Sequence, residues 1–151
     1  MPHLDSPGLC GPKVIAHVLG ISVQDAQTAC KWTEGKGAEP EQLVRALRKA
    51  EYKTAYQPFQ TLHALVYFLN KKSNGIVIVN YWDDMNGGTE GHYAQFLGLD
   101  EYGDVVLWNP DNPDVQRMVL PREVFQLRWY DFRIEDIGTI LRGGAIFAYK
   151  K

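Results

Sequence analysis

Gly8-Leu9-Cys10-Gly11-Pro12 decides the fold prediction, because this stretch puts a cysteine where a helix begins. Proline suits the first turn of a helix, since its missing N–H group would have no intrahelical partner there and its φ angle is already helical. Apolar residues then recur at helical spacing, at Val14, Ile15, Val18 and Leu19. The pattern predicts a helix over residues 10–20, with Cys10 at or just before its start.

The position of Cys10 favours a reactive thiol. The first turn of a helix carries unpaired backbone N–H groups and the positive end of the helix dipole, so it stabilises an anion such as a thiolate. Cys30 falls instead on a second short amphipathic helix and is predicted to be a core residue. We expect both cysteines to be free thiols, because neither position is typical of a disulfide in a small secreted scaffold.

Two stretches far downstream, Gly91-His92-Tyr93 and Trp108-Asn109-Pro110-Asp111, carry groups that complement a thiol. They lie at the facing ends of two predicted strands, residues 92–99 and 104–109, which a short turn joins. A thiol, an imidazole and a carboxamide or carboxylate are the three parts of a nucleophilic cysteine site.

Strand pairing brings His92 close to one of two partners. A hairpin turning at residues 101–102 places His92 opposite Asp111, and a two-residue slip of register places it opposite Asn109. Either side chain can accept a hydrogen bond from the imidazole and hold its tautomer and orientation. The residues therefore leave Asn109 and Asp111 as alternatives for the third position.

The remaining elements complete an α+β pattern. Helices are predicted at residues 23–31, 39–51, 61–72 and 121–127, and strands at 52–57, 75–82, 116–120 and 144–149, whereas residues 134–142 have no clear assignment. Ser22 and Thr61 are the predicted N-caps of two helices. Helices come first and strands second, which predicts N-terminal helices packed on a mostly antiparallel sheet in a single domain over residues 1–151.

Composition narrows the function classes. A net charge of −2 and a pI near 6.1 give no basic surface for nucleic acid. No apolar run approaches the roughly 20 residues that span a bilayer, and the first nine residues do not resemble a signal peptide, so we expect a cytoplasmic protein. No oligomeric state is predicted. Cys10, His17 and His92 are residue types that bind metals, but short-spaced pairs of the CxxC or HxxxH type are absent, so neither a metal nor another cofactor is expected.

Taken together, these motifs resemble the bacteriocin-processing, double-glycine leader peptidases, a branch of the papain-like cysteine peptidases. The resemblance runs over most of the chain, and its motifs are Cys10-Gly11-Pro12, the Gly35/Gly37 loop before Glu41-Gln42-Leu43, the strand 75–79, Gly91-His92-Tyr93, Asn109-Pro110, Phe125 and Trp129. It implies a papain-like fold with Cys10 as nucleophile, His92 as general base and Asn109 as the residue that orients His92. The family usually has Asp before this proline, and Asp111 remains a rival from the register argument.

One position departs from the family pattern. The family carries a Gln six residues before the cysteine as a side-chain donor to the oxyanion, and this chain has Leu4 there. Loss of one such donor typically lowers the rate by about 10² to 10³. The Cys10 backbone N–H supplies the other donor, and Ser6, or less favourably His3, is the candidate replacement.

The resemblance implies a cysteine peptidase that hydrolyses a peptide or protein substrate, with Gly-Gly leader sites as one class of target. We expect the loop from Trp82 to Gly91 to line the substrate cleft, with Asp83 and its acidic neighbours favouring neutral or basic peptides. Two alternatives stay open: a peptide-binding domain that has lost catalysis, and a transglutaminase-like thiol acyltransferase.

Overall fold

The computed structural model describes residues 9–34, 37–83, 90–110, 117–132 and 140–150. Its helices are α1 (Cys10–Leu19), α2 (Val23–Cys30), α3 (Pro40–Lys49), α4 (Leu62–Lys71) and α5 (Arg122–Arg128). Its strands are β1 (Lys53–Gln57), β2 (Ile76–Asp83), β3 (Glu90–Leu99), β4 (Val105–Trp108), β5 (Met118–Leu120), β6 (Tyr130–Phe132), β7 (Ile140–Arg142) and β8 (Ala145–Tyr149).

Local sequence explains where the helices begin and end. The predicted caps are confirmed: the Ser22 hydroxyl accepts from the Asp25 N–H at 3.0 Å, and the Thr61 hydroxyl accepts from the Ala64 N–H at 3.1 Å. Gly20 ends α1 in the left-handed region, with φ of 68°, where glycine carries no Cβ penalty.

Within the described ranges, no helix is long and apolar enough to cross a membrane.

A six-stranded sheet in the order β1-β8-β2-β3-β4-β5 forms the centre of the fold, and the paired strands are antiparallel. The first three helices bury one core against one face of this sheet, with Ile78 and Tyr93 among its strand residues. Helices α4 and α5 bury a second core against the other face, around Phe96. The predicted α+β architecture of helices on an antiparallel sheet is therefore confirmed.

A β-bulge in β3 sets the faces of the strands near the candidate site. Phe96 pairs with Leu107 but Gly98 pairs with Val106, so Leu97 is the extra residue. Beyond the bulge Gln95 pairs with Trp108. Because neighbouring strand residues alternate between faces, Asn109 points to the same face as His92.

Two features differ from the prediction. β3 begins at Glu90, two residues before the predicted start, so Trp82 and Gly91 are paired strand residues and not parts of a loop. Strands β6 and β7, which form a separate two-stranded sheet, were not predicted. Three residues are too few to show a period of two, so only their tertiary pairing defines them.

Candidate active site

Cys10 is the first residue of α1 and carries a free, partly exposed thiol. Helix α1 starts without a side-chain cap, and the N–H groups of a first helical turn have no carbonyl partner within their own helix. The thiol therefore lies at the end of the helix where backbone dipoles favour a thiolate. Cys30, in contrast, is fully buried, and burial raises its pKa to about 12, which confirms it as a core residue.

Gly11 brings the start of α1 against β3. A Cβ atom at this position would lie 3.0 Å from Leu43 Cδ1 and 3.4 Å from Tyr93 Cδ2, so a side chain larger than hydrogen would crowd the interface. Tyr93 is held in turn by its hydroxyl, which donates to the Ala38 carbonyl at 2.7 Å. Since Gly11 follows Cys10 and Tyr93 follows His92, this contact places the thiol helix beside the histidine strand.

The pKa of the Tyr93 hydroxyl depends on the charged groups around it. Burial raises the pKa of its hydroxyl well above the ordinary value, and the neighbouring Asp131 carboxylate and, to a smaller extent, the Cys10 side chain raise it further. The thiol and the Asp131 carboxylate therefore both lie close enough to act on one buried phenol.

His92 and Asn109 form a buried hydrogen-bonded pair. The His92 Nε2 atom lies 2.7 Å from Asn109 Oδ1, and the two side chains are only 2% and 1% exposed. A hydrogen bond out of contact with water does not compete with solvent, so this one restricts the imidazole ring strongly.

Met118 fixes which end of the Asn109 amide faces His92. The Asn109 Nδ2 atom donates to the Met118 sulfur at 3.4 Å, and a thioether can only accept. Asn109 therefore presents its carbonyl oxygen to His92, and Nε2 must carry the proton. In the neutral imidazole, Nδ1 is then the basic nitrogen.

Tyr81 packs its ring edge-on to the imidazole from β2, at a centroid separation of 5.5 Å and an interplanar angle of 87°. It is 3% exposed and lies opposite His92 in the strand register. This aromatic neighbour helps to exclude water from the His92–Asn109 pair.

His17 makes a second contact between α1 and the sheet. Its ring stacks on Trp108 at a centroid separation of 3.8 Å and an angle of 5°, and burial lowers its pKa. Trp108 directly precedes Asn109, and His17 lies two helical turns after Cys10. Helix α1 is thus attached to the sheet at Tyr93 and at Trp108, the chain neighbours of His92 and Asn109.

The predicted cleft residues lie at the end of β2 and the start of β3. Trp82 pairs with Gly91 and stacks on Tyr130, with a centroid separation of 6.0 Å and an angle of 9°. Asp83 is the last residue of β2. The Asp131 carboxylate packs directly over Gly91, where a Cβ atom would overlap it. Ser6 and Asp111, like Leu4, lie outside the described residues.

Four residues around the site were not predicted: Tyr81, Met118, Tyr130 and Asp131. Tyr81 lies in a predicted strand, and the register of β2 on β3 pairs it directly with His92. Paired residues point to the same face, so this register would have identified Tyr81 as a neighbour of the imidazole. Met118, Tyr130 and Asp131 follow from pairings between distant segments, for which the sequence has no local signal. Among the residues that the structure describes, no group of three His, Cys, Asp or Glu side chains is placed to hold a metal ion.

Comparison with known proteins identifies the fold. No protein-family model matches the chain, and no curated protein matches it significantly. Among solved structures, the peptidase domain of Streptococcus ComA, a bi-functional ABC transporter involved in a quorum-sensing pathway, superposes with a TM-score of 0.69 at 22% identity, covering 100% of this chain and 97% of that one. The peptidase domain of Streptococcus mutans ComA gives 0.63 at 22% identity, with 98% and 96% covered.

A third similar structure is a double glycine motif protease from an AMS/PCAT transporter, solved in complex with the leader peptide. It superposes with a TM-score of 0.62 at 15% identity, covering 99% of this chain and 88% of that one. The chain accordingly has the α+β fold of the double-glycine peptidase domains, as the sequence motifs implied.

Proposed function

We propose that this chain is a cysteine peptidase in which Cys10, His92 and Asn109 are the catalytic residues. The observation that carries the proposal is the 2.7 Å hydrogen bond from His92 Nε2 to Asn109 Oδ1. Both side chains are buried, and His92 belongs to β3, the strand that packs on the start of the thiol helix. A general base needs one ring nitrogen free to accept a proton, and a proton held on Nε2 by this hydrogen bond leaves Nδ1 for that role.

The reaction follows from these groups. The Cys10 thiolate attacks the carbonyl carbon of a peptide bond, and the resulting tetrahedral intermediate collapses as the imidazolium of His92 gives a proton to the leaving amine. The products of this step are the free amine and a thioester on Cys10. Nδ1 of His92 then takes a proton from water, whose oxygen attacks the thioester. Collapse of this second tetrahedral intermediate releases the carboxylic acid and the Cys10 thiolate, which restores the starting thiolate and imidazolium.

Asn109 keeps its hydrogen bond throughout this cycle. Nε2 carries a proton in both the neutral and the charged imidazole, so the bond to Oδ1 holds the ring in place while Nδ1 gains and loses its proton. The Cys10 backbone N–H, in the unpaired first turn of α1, is the proposed donor to the oxyanion. The Ser6 hydroxyl remains the proposed second donor, in place of the glutamine that Leu4 replaces.

We propose a peptide substrate, with Gly-Gly leader sites as the first class to test. The similarity to a double glycine motif protease solved with its leader peptide supports this choice. Peptides with and without a Gly-Gly end should be compared, because the resemblance alone does not fix the preference.

The test is the rate of thiol alkylation, followed by intact-mass spectrometry from pH 4 to 10. We expect the alkylation rate of Cys10 to rise with pH well below pH 8. In a His92→Ala variant this rise should move to higher pH, because the imidazolium that stabilises the thiolate is missing. Cys30 is the internal control, since its buried thiol has a pKa of about 12 and should not react below pH 10. An ordinary profile at Cys10, unchanged by His92→Ala, would contradict the proposal.

One observation favours a second candidate, a peptide-binding domain without turnover: Leu4 stands where the family carries its oxyanion glutamine. A Cys10→Ala variant separates the two functions, because peptide binding should survive the substitution while hydrolysis should not. Adding a primary amine during turnover tests the acyltransferase alternative, since a transferase would form the amide in preference to the acid.

A further inference from the structure

A carboxylate and two aromatic rings converge at the end of β3 that carries His92. Trp82 and Gly91 are paired across β2 and β3, Tyr130 stacks on Trp82, and Asp131 covers Gly91. We call these four residues the Asp131 wall. All four belong to strands, so the arrangement is built on the backbone of the sheets.

The Asp131 wall faces the side of the sheet on which the thiol helix packs. Gly91 and Tyr93 are two residues apart in β3 and therefore point to the same face. Tyr93 contacts Gly11 at the start of α1, and the Asp131 carboxylate packs on Gly91. A peptide bound between Cys10 and the His92 end of β3 would therefore run past Asp131.

The chemistry of the wall suits a cationic side chain. A carboxylate forms short, charge-assisted hydrogen bonds with Lys and Arg, and guanidinium groups stack on aromatic faces. Asp131 also has contacts within the protein, but a carboxylate offers about four acceptor sites, so an existing partner leaves room for another. Tyr130 and Asp131 are partly exposed, which a substrate-contacting pair requires.

We propose that Asp131 determines specificity by selecting peptides with a Lys or Arg side chain directly after the scissile bond, the neighbouring position that a Gly-Gly end leaves open. The inference rests on the proposed peptidase function and adds the substrate class. It adds to the predicted preference of the loop around Asp83 for neutral or basic peptides a second carboxylate, which packs on Gly91.

The test uses peptides that share a Gly-Gly end before the scissile bond and differ only at the residue after it, which is Arg, norleucine or Glu. We expect kcat/KM for the Arg peptide to exceed that of its norleucine counterpart by about tenfold, since only the Arg side chain can form a charge-assisted hydrogen bond with the Asp131 carboxylate. Asp131→Asn should bring the ratio of the two kcat/KM values close to one, because the amide carries no charge to pair with Arg. Asp131→Glu should keep the preference for Arg, and Glu123→Gln, an exposed charge on α5, is the matched control.

A binding measurement separates failure of this inference from failure of the peptidase function. The Cys10→Ala variant, titrated with the same peptides in fluorescence anisotropy, should bind the Arg peptide more tightly at low salt, with the difference shrinking at high salt. Binding selectivity without any turnover would support the role of Asp131 and contradict the peptidase. Equal binding and equal turnover of Arg and norleucine peptides would overturn the inference, as would a preference that Asp131→Asn leaves intact.

Discussion

His92 Nε2 lies 2.7 Å from Asn109 Oδ1, and the opposite end of the Asn109 amide donates to Met118. The amide is therefore held at both ends, and its oxygen cannot exchange places with its nitrogen without losing the hydrogen bond to Met118. This relationship makes Nδ1 of His92 the basic nitrogen, and it is the basis of the first prediction.

Asn109→Ala is expected to lower kcat by roughly 10²-fold, because the imidazole loses the partner that holds its tautomer and orientation. Asn109→Asp should retain much of the activity and move the alkaline limb of the pH profile upward, since a carboxylate favours the imidazolium. The measurement is kcat against pH for both variants. Equal losses in the two variants would argue against an orienting role for residue 109.

The bulge at Leu97 explains why Asn109 reaches the same face as His92. Without the extra residue the β3–β4 register would shift by one, and every β4 side chain would move to the other face relative to β3. Gly98 adopts φ of 134° in the bulge, which is strained for other residues although space for a Cβ atom is open.

Gly98→Ala is therefore expected to destabilise the fold by about 1 to 3 kcal/mol through backbone strain alone. Urea unfolding of the variant gives this value, and Gly20→Ala at the end of α1 is a matched control, because its backbone is also left-handed and its surroundings are also open. If the bulge positions Asn109, Gly98→Ala should lower kcat as well, whereas Gly20→Ala should affect stability only.

Much of the fold was predictable because its signals are local. Ser22, Thr61 and Gly20 define helix ends through their own chemistry, and β2 stands out as a run of β-branched residues. The hydrogen bond between His92 and Asn109 was not predictable from strand pairing, since it depends on one extra residue in a strand with an otherwise regular pattern. The Asp131 wall was not predictable either, because Asp131 reaches Gly91 only through tertiary packing.

His17 is expected to make stability depend on pH. Partial desolvation of the imidazole lowers its pKa in the folded chain, so the unfolded chain binds more protons between that pKa and the unfolded value near 6.5. The contribution is fully present above pH 6.5 and is lost as the pH falls through the folded pKa. The fall in Tm between pH 7.5 and pH 5 should be smaller in His17→Phe, which keeps a flat ring on Trp108, than in the wild type. A fall of the same size in both proteins would assign the pH dependence to other groups.

Gly91→Ala is expected to disrupt the site through Asp131. A Cβ atom at position 91 would overlap the Asp131 carboxylate, so either that side chain or β3 must shift, and β3 carries His92. We expect a lower Tm and a loss of kcat/KM toward every peptide, in contrast to Asp131→Asn, which affects basic peptides selectively. The double variant Gly91→Ala/Asp131→Ala removes the overlapping group and should recover the Tm and the activity toward norleucine peptides, but not the preference for Arg. Thermal unfolding and steady-state kinetics of the two single variants and the double variant measure this coupling, and purely additive effects would show that Gly91 is required for a reason other than its contact with Asp131.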